Sequence, residues 1–250
     1  MNKKFYVVAQ ESGFGLEPLP TWTDEPGTVM PFDQSQFRAT KRIDISEVPG
    51  AFQLLNVLSE AEADRMVSLA DHLGFHQDSP VSLSHDVRHN ENMNWVVSSS
   101  IDSVIWERSK SLMPEEIEGR RAIGLNAHFR FYRYGIGDYF SSHTDGAWTG
   151  SRVIDGELIA DAYAGSFSEF TYLIFLNDGY KGGCTQFMVS VANPVLPATK
   201  NDDVKIVSVR TPKGGVLCFP HGQHPQHCVH SGEPIESGTK YIIRSDVLFG

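Results

Sequence analysis

Apolar positions recur at helical spacing in two early segments of this chain and alternate at strand spacing through its second half. Ser59-Glu60-Ala61-Glu62 has the form of a capping box, in which Ser59 and Glu62 satisfy each other's backbone N–H groups. Behind it Ala63, Met66, Val67 and Ala70 share one face up to Leu73, and Gly74 is a natural stop. The spacing predicts a helix. A second helical face joins Ile101, Val104, Ile105, Ser109 and Leu112, and Pro114 ends it. From residue 121 the period falls to two: His128, Arg130 and Tyr132 alternate with Phe129, Phe131 and Arg133. Further strands are expected at 170–176, 185–189, 204–209, 216–219 and 240–249. Turn signals separate them, among them Asn177-Asp178-Gly179 and Pro212-Lys213-Gly214-Gly215. Many short strands behind two helices give a mostly β fold class, with the supporting helices packed on one of two sheets.

The remaining stretches are less periodic. Residues 1–45 carry Pro18, Pro20, Pro26 and Pro31 and read as an extended arm or a strand with loops, with 5–8 available as an edge strand. FQLLNV, at 52–57, is a short apolar run. Residues 76–95 are polar and irregular and read as a long loop, a kind of segment that often serves as a lid. The stretch 147–168 reads as a lid or a plain connection. We therefore divide the chain into 1–115, an arm and supporting helices belonging to the same globular unit, and 116–250, the core. No internal repeat is visible.

Composition narrows the classes. The chain has 250 residues, 40% of them hydrophobic, enough for one large core. A net charge of −10 argues against nucleic acid as a partner, because that binding neutralises phosphates with cations. Three cysteines, an odd number without framework spacing, read as buried thiols in a reducing compartment. The apolar run in MNKKFYVV is too short for a signal peptide, and no run approaches the roughly 20 residues that span a bilayer. The expectation is a soluble intracellular protein, cytoplasmic and without a membrane partner.

The candidate chemistry begins at FRFYRYGIGDYFSSHTDG, which holds His143 and Asp145. On a strand, residues two apart face the same side, so both can reach one ion. Two histidines and one carboxylate form the facial triad of non-haem iron(II) sites. The third ligand must come from His221, His224, His227 and His230. His230, just ahead of the last strand, is the best candidate and His221 the runner-up, while His224 and His227 flank Pro225 as loop residues. Lys240 and Arg244 lie four apart on that last strand and so face one side. A buried cation requires an anion, and a dicarboxylate such as 2-oxoglutarate would supply it.

Three stretches together, FRFYRYGIGDYFSSHTDG, FTYLIFLNDGYKGGCTQF and GGVLCFPHGQHPQHCVHSGEPIESGTKYIIRSDVLF, resemble the iron(II)/2-oxoglutarate-dependent dioxygenases, in particular the prolyl 4-hydroxylase-like branch. The resemblance covers roughly residues 121–249. It implies a double-stranded β-helix (jelly-roll) core, with iron(II) on His143, Asp145 and His230. It implies 2-oxoglutarate as cosubstrate, its far carboxylate held by Lys240, ten positions after His230, or by Arg244, fourteen after, with Tyr134 touching it. It further implies O2 as oxidant, ascorbate as a stimulant, and hydroxylation of an amino-acid side chain or small molecule coupled to decarboxylation of 2-oxoglutarate to succinate. The partner would be a small-molecule or a peptide or protein substrate, met by Arg88, Arg130 and Trp148. Two departures, Cys184 in place of a common Glu and Phe140 in place of a common Tyr, weaken proline as the substrate. Two other readings compete. A non-catalytic metal- or dicarboxylate-binding or sensing module is opposed by the intact triad. A cupin-like metal enzyme that does not use 2-oxoglutarate is opposed by Lys240 and Arg244.

Overall fold

Two β-sheets face each other, and both helices lie on the outer face of the larger one. The computed structural model describes residues 4–12, 18–33, 35, 37–77 and 87–250. The large, 11-stranded sheet runs in the order Phe5–Ser12, Pro18–Asp24, Glu91–Val96, His128–Tyr134, Lys240–Phe249, Phe167–Phe175, Val216–Pro220, Phe52–Leu55 and Lys41–Asp44, with Arg120–Leu125 and Glu116–Ile117 alongside. The 5-stranded sheet runs Val204–Val209, Thr185–Ser190, Val229–Gly232, Tyr139–His143 and Arg88–His89. This is a double-stranded β-helix with helical support.

Strand periodicity sorts the side chains of the large sheet into two layers. Met93, Trp95, Phe129, Phe131, Ile243 and Val247 point outward and pack against Ala63, Met66, Ile101 and Ile105 of the helices. Tyr132, Tyr134, Leu173, Phe175 and Ile242 point inward, toward Phe187, Val189, Val207 and Val209 of the small sheet. The first helix, Glu60–Leu73, forms behind the expected capping box, and Gly74 N–H donates to Ala70 at its end. Glu62 also takes both terminal nitrogens of Arg108, at 2.7 and 2.9 Å, which joins the first helix to the second, Ser99–Ser109. The second helix ends in a 3-10 turn at Lys110–Leu112.

One expectation is corrected. Residues 76–95 are not a loop throughout, since Arg88–His89 and Glu91–Val96 are strands. The latter lies inside the large sheet, parallel to Pro18–Asp24 and antiparallel to His128–Tyr134. Its asparagines disguise it. Asn92 and Asn94 line the space between the sheets while Met93 and Trp95 enter the core, so the polar phase of the alternation faces an internal chamber. Residues 78–86 of that segment lie outside the described residues. The arm also builds strands. Phe5–Ser12 is the expected edge strand, and Asp24 accepts Trp95 Nε1 at 2.9 Å. The stretch after Asp145 is likewise built, with a hairpin of Arg152–Ile154 and Glu157–Ile159.

Candidate active site

His143 and His230 stand directly opposite each other on adjacent antiparallel strands of the small sheet. Cross-strand partners project from the same face, so the two imidazoles meet over the inter-sheet space. Each is oriented from behind: His143 Nδ1 lies 2.8 Å from the Ser141 carbonyl and His230 Nδ1 3.2 Å from the Cys228 carbonyl. A carbonyl only accepts, so Nδ1 carries the proton and Nε2 offers its lone pair in both rings. Those Nε2 atoms each lie 3.7 Å from an Asp145 oxygen. One ligand atom from each of the three residues lies within 4.8 Å of the others. A divalent cation fits this nitrogen–nitrogen–oxygen set, the donor chemistry of non-haem iron(II).

Asp145 arrives by a different route from the one its spacing suggested. The strand ends at His143, so the two-residue period does not extend to Asp145. A turn carries it in, held by the Gly222 N–H on the Asp145 carbonyl at 3.0 Å. Gly222 has φ +63°, and a Cβ there would sit 2.8 Å from that of Ala147. The Asp145 side chain accepts the Thr171 hydroxyl at 2.7 Å on Oδ2.

Burial and charge prepare the group for a cation. Desolvation holds His143 neutral, its pKa lowered to about 4. Burial would raise the Asp145 pKa, but the Arg244 guanidinium beside it outweighs that and keeps the carboxylate ionised. Phe140 stacks on His143 with ring centres 3.6 Å apart, and Phe219 packs on His230 at 4.6 Å.

The two candidate anchors behave differently. Lys240 is 4% exposed, ringed by Tyr134, Phe175 and Tyr180, and its ammonium donates to the Gly183 carbonyl at 2.7 Å. Desolvation lowers its pKa to about 8, and among the described residues it forms no ion pair. Arg244 already has two carboxylates, Asp145 at 3.5 Å and Asp246 at 3.0 Å.

The triad, Lys240, Arg244, Tyr134, Arg88, Arg130 and Trp148 all line one chamber of about 540 Å³ between the sheets. His221 stands behind it. Fully buried, it meets Thr171 Oγ1 with Nδ1 at 2.7 Å and Ser168 Oγ with Nε2 at 2.8 Å. Since Thr171 gives its one proton to Asp145, His221 Nδ1–H must donate to Thr171, and Nε2 accepts from Ser168. Both nitrogens are thus committed, and the runner-up ligand is a support. His224 and His227 occupy a turn in which the His227 N–H donates to the His224 carbonyl.

No protein-family model matches this chain, and no curated protein does. Solved structures do. A prolyl hydroxylase of Trichoplax adhaerens, in complex with a hypoxia inducible factor oxygen degradation domain peptide fragment, aligns at TM-score 0.52 and 15% identity, over 79% of this chain and 83% of that one. A 2OG-Fe(II) oxygenase family oxidoreductase of Burkholderia pseudomallei aligns at 0.50 and 10%, over 79% and 85%. A viral collagen prolyl hydroxylase of Paramecium bursaria Chlorella virus-1 aligns at 0.48 and 17%, over 85% and 97%. The chain has the fold of the 2-oxoglutarate/iron(II) oxygenases.

Within that oxygenase fold, sequence reading passed over Thr171, Asp246, Asn94 and the supporting role of His221. Two of them had a signal. Ser168, Glu169 and Thr171 interrupt the otherwise apolar run FSEFTYLIF, and Asp246 follows Lys240 and Arg244 at an even spacing. A polar residue in the buried phase of a strand either has a partner or faces a site.

Proposed function

We propose that the protein is an Fe(II)- and 2-oxoglutarate-dependent dioxygenase that hydroxylates an amino-acid side chain or a small molecule. One observation carries the reading. Three ligand atoms converge with both histidine Nε2 lone pairs presented, in the chamber where Lys240 stands buried without an anionic partner among the described residues.

His143, His230 and Asp145 would hold the iron, and Lys240 would pair with the far carboxylate of 2-oxoglutarate, Tyr134 packing beside it. Arg244 is engaged by Asp145 and Asp246 and serves the carboxylate ligand instead. Iron bound there with O2 and 2-oxoglutarate would couple decarboxylation to succinate and CO2 with oxidation of a substrate C–H bond, with ascorbate as a stimulant. The side chains supply the rest. Phe140, Phe219, Leu173 and Ile242 line the chamber and exclude water, and Ser141 and Cys228 fix the imidazole planes. Arg88, Arg130 and Trp148 line the same chamber and would meet the substrate. Three free cysteines and the absence, among the described residues, of a helix long and apolar enough to cross a membrane support a cytoplasmic location. The charge of −10 supports a partner other than nucleic acid.

An anaerobic visible spectrum tests this. Iron(II) and 2-oxoglutarate together should give a weak metal-to-ligand charge-transfer band, absent in His143→Ala and Asp145→Ala, and air should then yield succinate. Lys240→Ala should lose the band at 2-oxoglutarate concentrations that saturate the parent. Folded, metal-loaded protein with neither band nor succinate would overturn the reading in favour of a binding module.

A further inference from the structure

The chamber continues past the triad, away from Lys240. Across the paired central strands Lys240 faces Tyr134, Ile242 faces Tyr132 and Arg244 faces Arg130. Arg130 therefore stands four residues, about 13 Å of strand, from the Tyr134 end. Arg130 sits level with its cross-strand partner Arg244, which is 3.5 Å from Asp145, at the end of the strand pair away from Lys240.

Arg130 has the features of a receptor. Its guanidinium lies over Trp148, 4.9 Å from the ring centre, and Nη1 donates to Asp246 Oδ2 at 3.3 Å. Asp246 is fully buried and is shared with Arg244, so Arg130 holds only part of one carboxylate. A guanidinium has five N–H donors in a fixed fork, and a stack plus one long bond leaves an edge for the chamber that Arg130 lines. Its side chain is 11% exposed.

Charge points the same way. Arg130, Arg244 and Lys240 line the chamber with three positive charges, against the carboxylates of Asp145 and of Asp246 at its edge. A divalent metal and dianionic 2-oxoglutarate cancel each other, and Glu11 and Arg88 on the lining add one charge of each sign. The lining is thus close to balance and offers both signs, a guanidinium for a ligand carboxylate and Glu11 for a ligand ammonium. Around Arg130 the lining is polar and neutral: burial keeps His128 uncharged, and its Nε2 lies 3.3 Å from Asn94 Oδ1.

The wall beyond the triad is locked in place. Ser168 N–H donates to the Trp148 carbonyl and Ala162 N–H to that of Gly150, at 2.9 and 2.8 Å, and the Thr149 hydroxyl reaches Ala160 at 2.9 Å. A Cβ on Gly150 would meet Leu248 at 2.4 Å, so this wall is pressed against the sheet. A chamber of about 540 Å³ is of the size of small-molecule sites.

Resting on the oxygenase reading above, we propose that the compartment around Arg130 and Trp148 binds a free amino acid, or a close derivative keeping both charges, with the carboxylate on Arg130 and the ammonium toward Glu11. An internal residue of a polypeptide offers neither charge.

The test separates this from the oxygenase reading by using Mn(II), which supports binding without turnover. Calorimetry and thermal midpoints of the Mn(II)/2-oxoglutarate protein are recorded with the proteinogenic L-amino acids and their C-terminal amides, and succinate formation with iron is followed in parallel. At least one acid should bind saturably, its amide at least about tenfold more weakly, as expected for loss of one charge-assisted contact. Arg130→Gln should weaken the acid to the level of the amide while leaving 2-oxoglutarate binding intact, and Arg130→Lys should recover part of it. Glu11→Gln should weaken the amino acid but not its N-acetyl form. Equal binding of acid and amide, unchanged binding in an Arg130→Gln protein that still takes up 2-oxoglutarate, or no binding of any acid to wild type that does so, each overturns the proposal. A wild type that takes up neither Mn(II) nor 2-oxoglutarate overturns the oxygenase reading itself.

Discussion

Thr171 gives its hydroxyl proton to Asp145 Oδ2 at 2.7 Å, which leaves Oδ1 as the open edge of that carboxylate, 3.7 Å from His143 Nε2. Thr171 is held in turn by His221, so the orientation of one metal-ligand candidate is set three side chains deep. Thr171→Val should weaken Mn(II) or Co(II) binding by about 10–100-fold, the usual scale for an outer-shell partner. Thr171→Ser should restore most of it. Calorimetric titration of the three proteins decides the matter, and a valine variant that binds metal like the parent would remove this role.

As the proposed anchor, Lys240 would make 2-oxoglutarate binding sensitive to pH. Desolvation lowers its pKa from 10.5 to about 8 in the folded chain. Between those values the unfolded chain binds more protons than the native one, so stability without cosubstrate rises with pH across that window. Below about pH 8 the burial penalty is fully present, about 3 kcal/mol at about 1.4 kcal/mol per pH unit. Lys240→Met should flatten the rise and stabilise the cosubstrate-free protein at neutral pH. In the parent, 2-oxoglutarate affinity should fall as pH passes about 8, since a neutral amine pairs poorly with a carboxylate. Denaturation midpoints and binding isotherms from pH 6 to pH 10 check both statements.

The joint between the helices is a buried ion pair. Glu62 and Arg108 side chains are 4% and 5% exposed. Removing one partner strands the other, so Glu62→Gln should destabilise by about 3–5 kcal/mol, the range for a broken buried pair. Burial opposes ionisation of Glu62, but Arg108 and the Ser59 N–H prevail and hold its pKa below 4.5. Its contribution is therefore present above that value and is lost as pH falls through the lower folded one. Urea titrations at neutral and acid pH should show the two proteins converging under acid.

Gly222 is the hinge pin of the turn that brings in Asp145. With φ +63° and an Ala147 Cβ at 2.8 Å from an added methyl, Gly222→Ala meets both strain and collision. A left-handed residue costs about 1–2 kcal/mol outside glycine. We expect a loss of stability of about that size and a larger loss of metal affinity, measured by thermal midpoint and metal titration. Gly27, with φ +74° and nothing within 4 Å of an added Cβ, provides the comparison: Gly27→Ala should lose stability alone.

Much of this was legible in the chain because burial wrote it into periodicity. The capping box and the strands at 204–209 and 240–249 follow from local rules that tertiary structure did not override. The strand Glu91–Val96 was hidden because its inward phase faces a polar chamber, and asparagine is a poor strand former wherever the inward phase meets an ordinary core. Asp145 was placed for the wrong reason: its alternation with His143 is broken by the end of the strand, and only Gly222, far along the chain, restores the geometry. His221 looked like a ligand because histidine identity carries no information about which nitrogens are already taken.

The two halves of the site sit on opposite walls. His143 and His230 belong to the small sheet, Lys240 and Arg244 to the large one. Whatever occupies the chamber is therefore a rivet through the sandwich, fastening a five-stranded leaf to an eleven-stranded backing. The small sheet borrows rigidity from its cargo, and its amides should exchange with solvent more slowly when the chamber is full than when it is empty, while those of the helix-backed sheet hardly change.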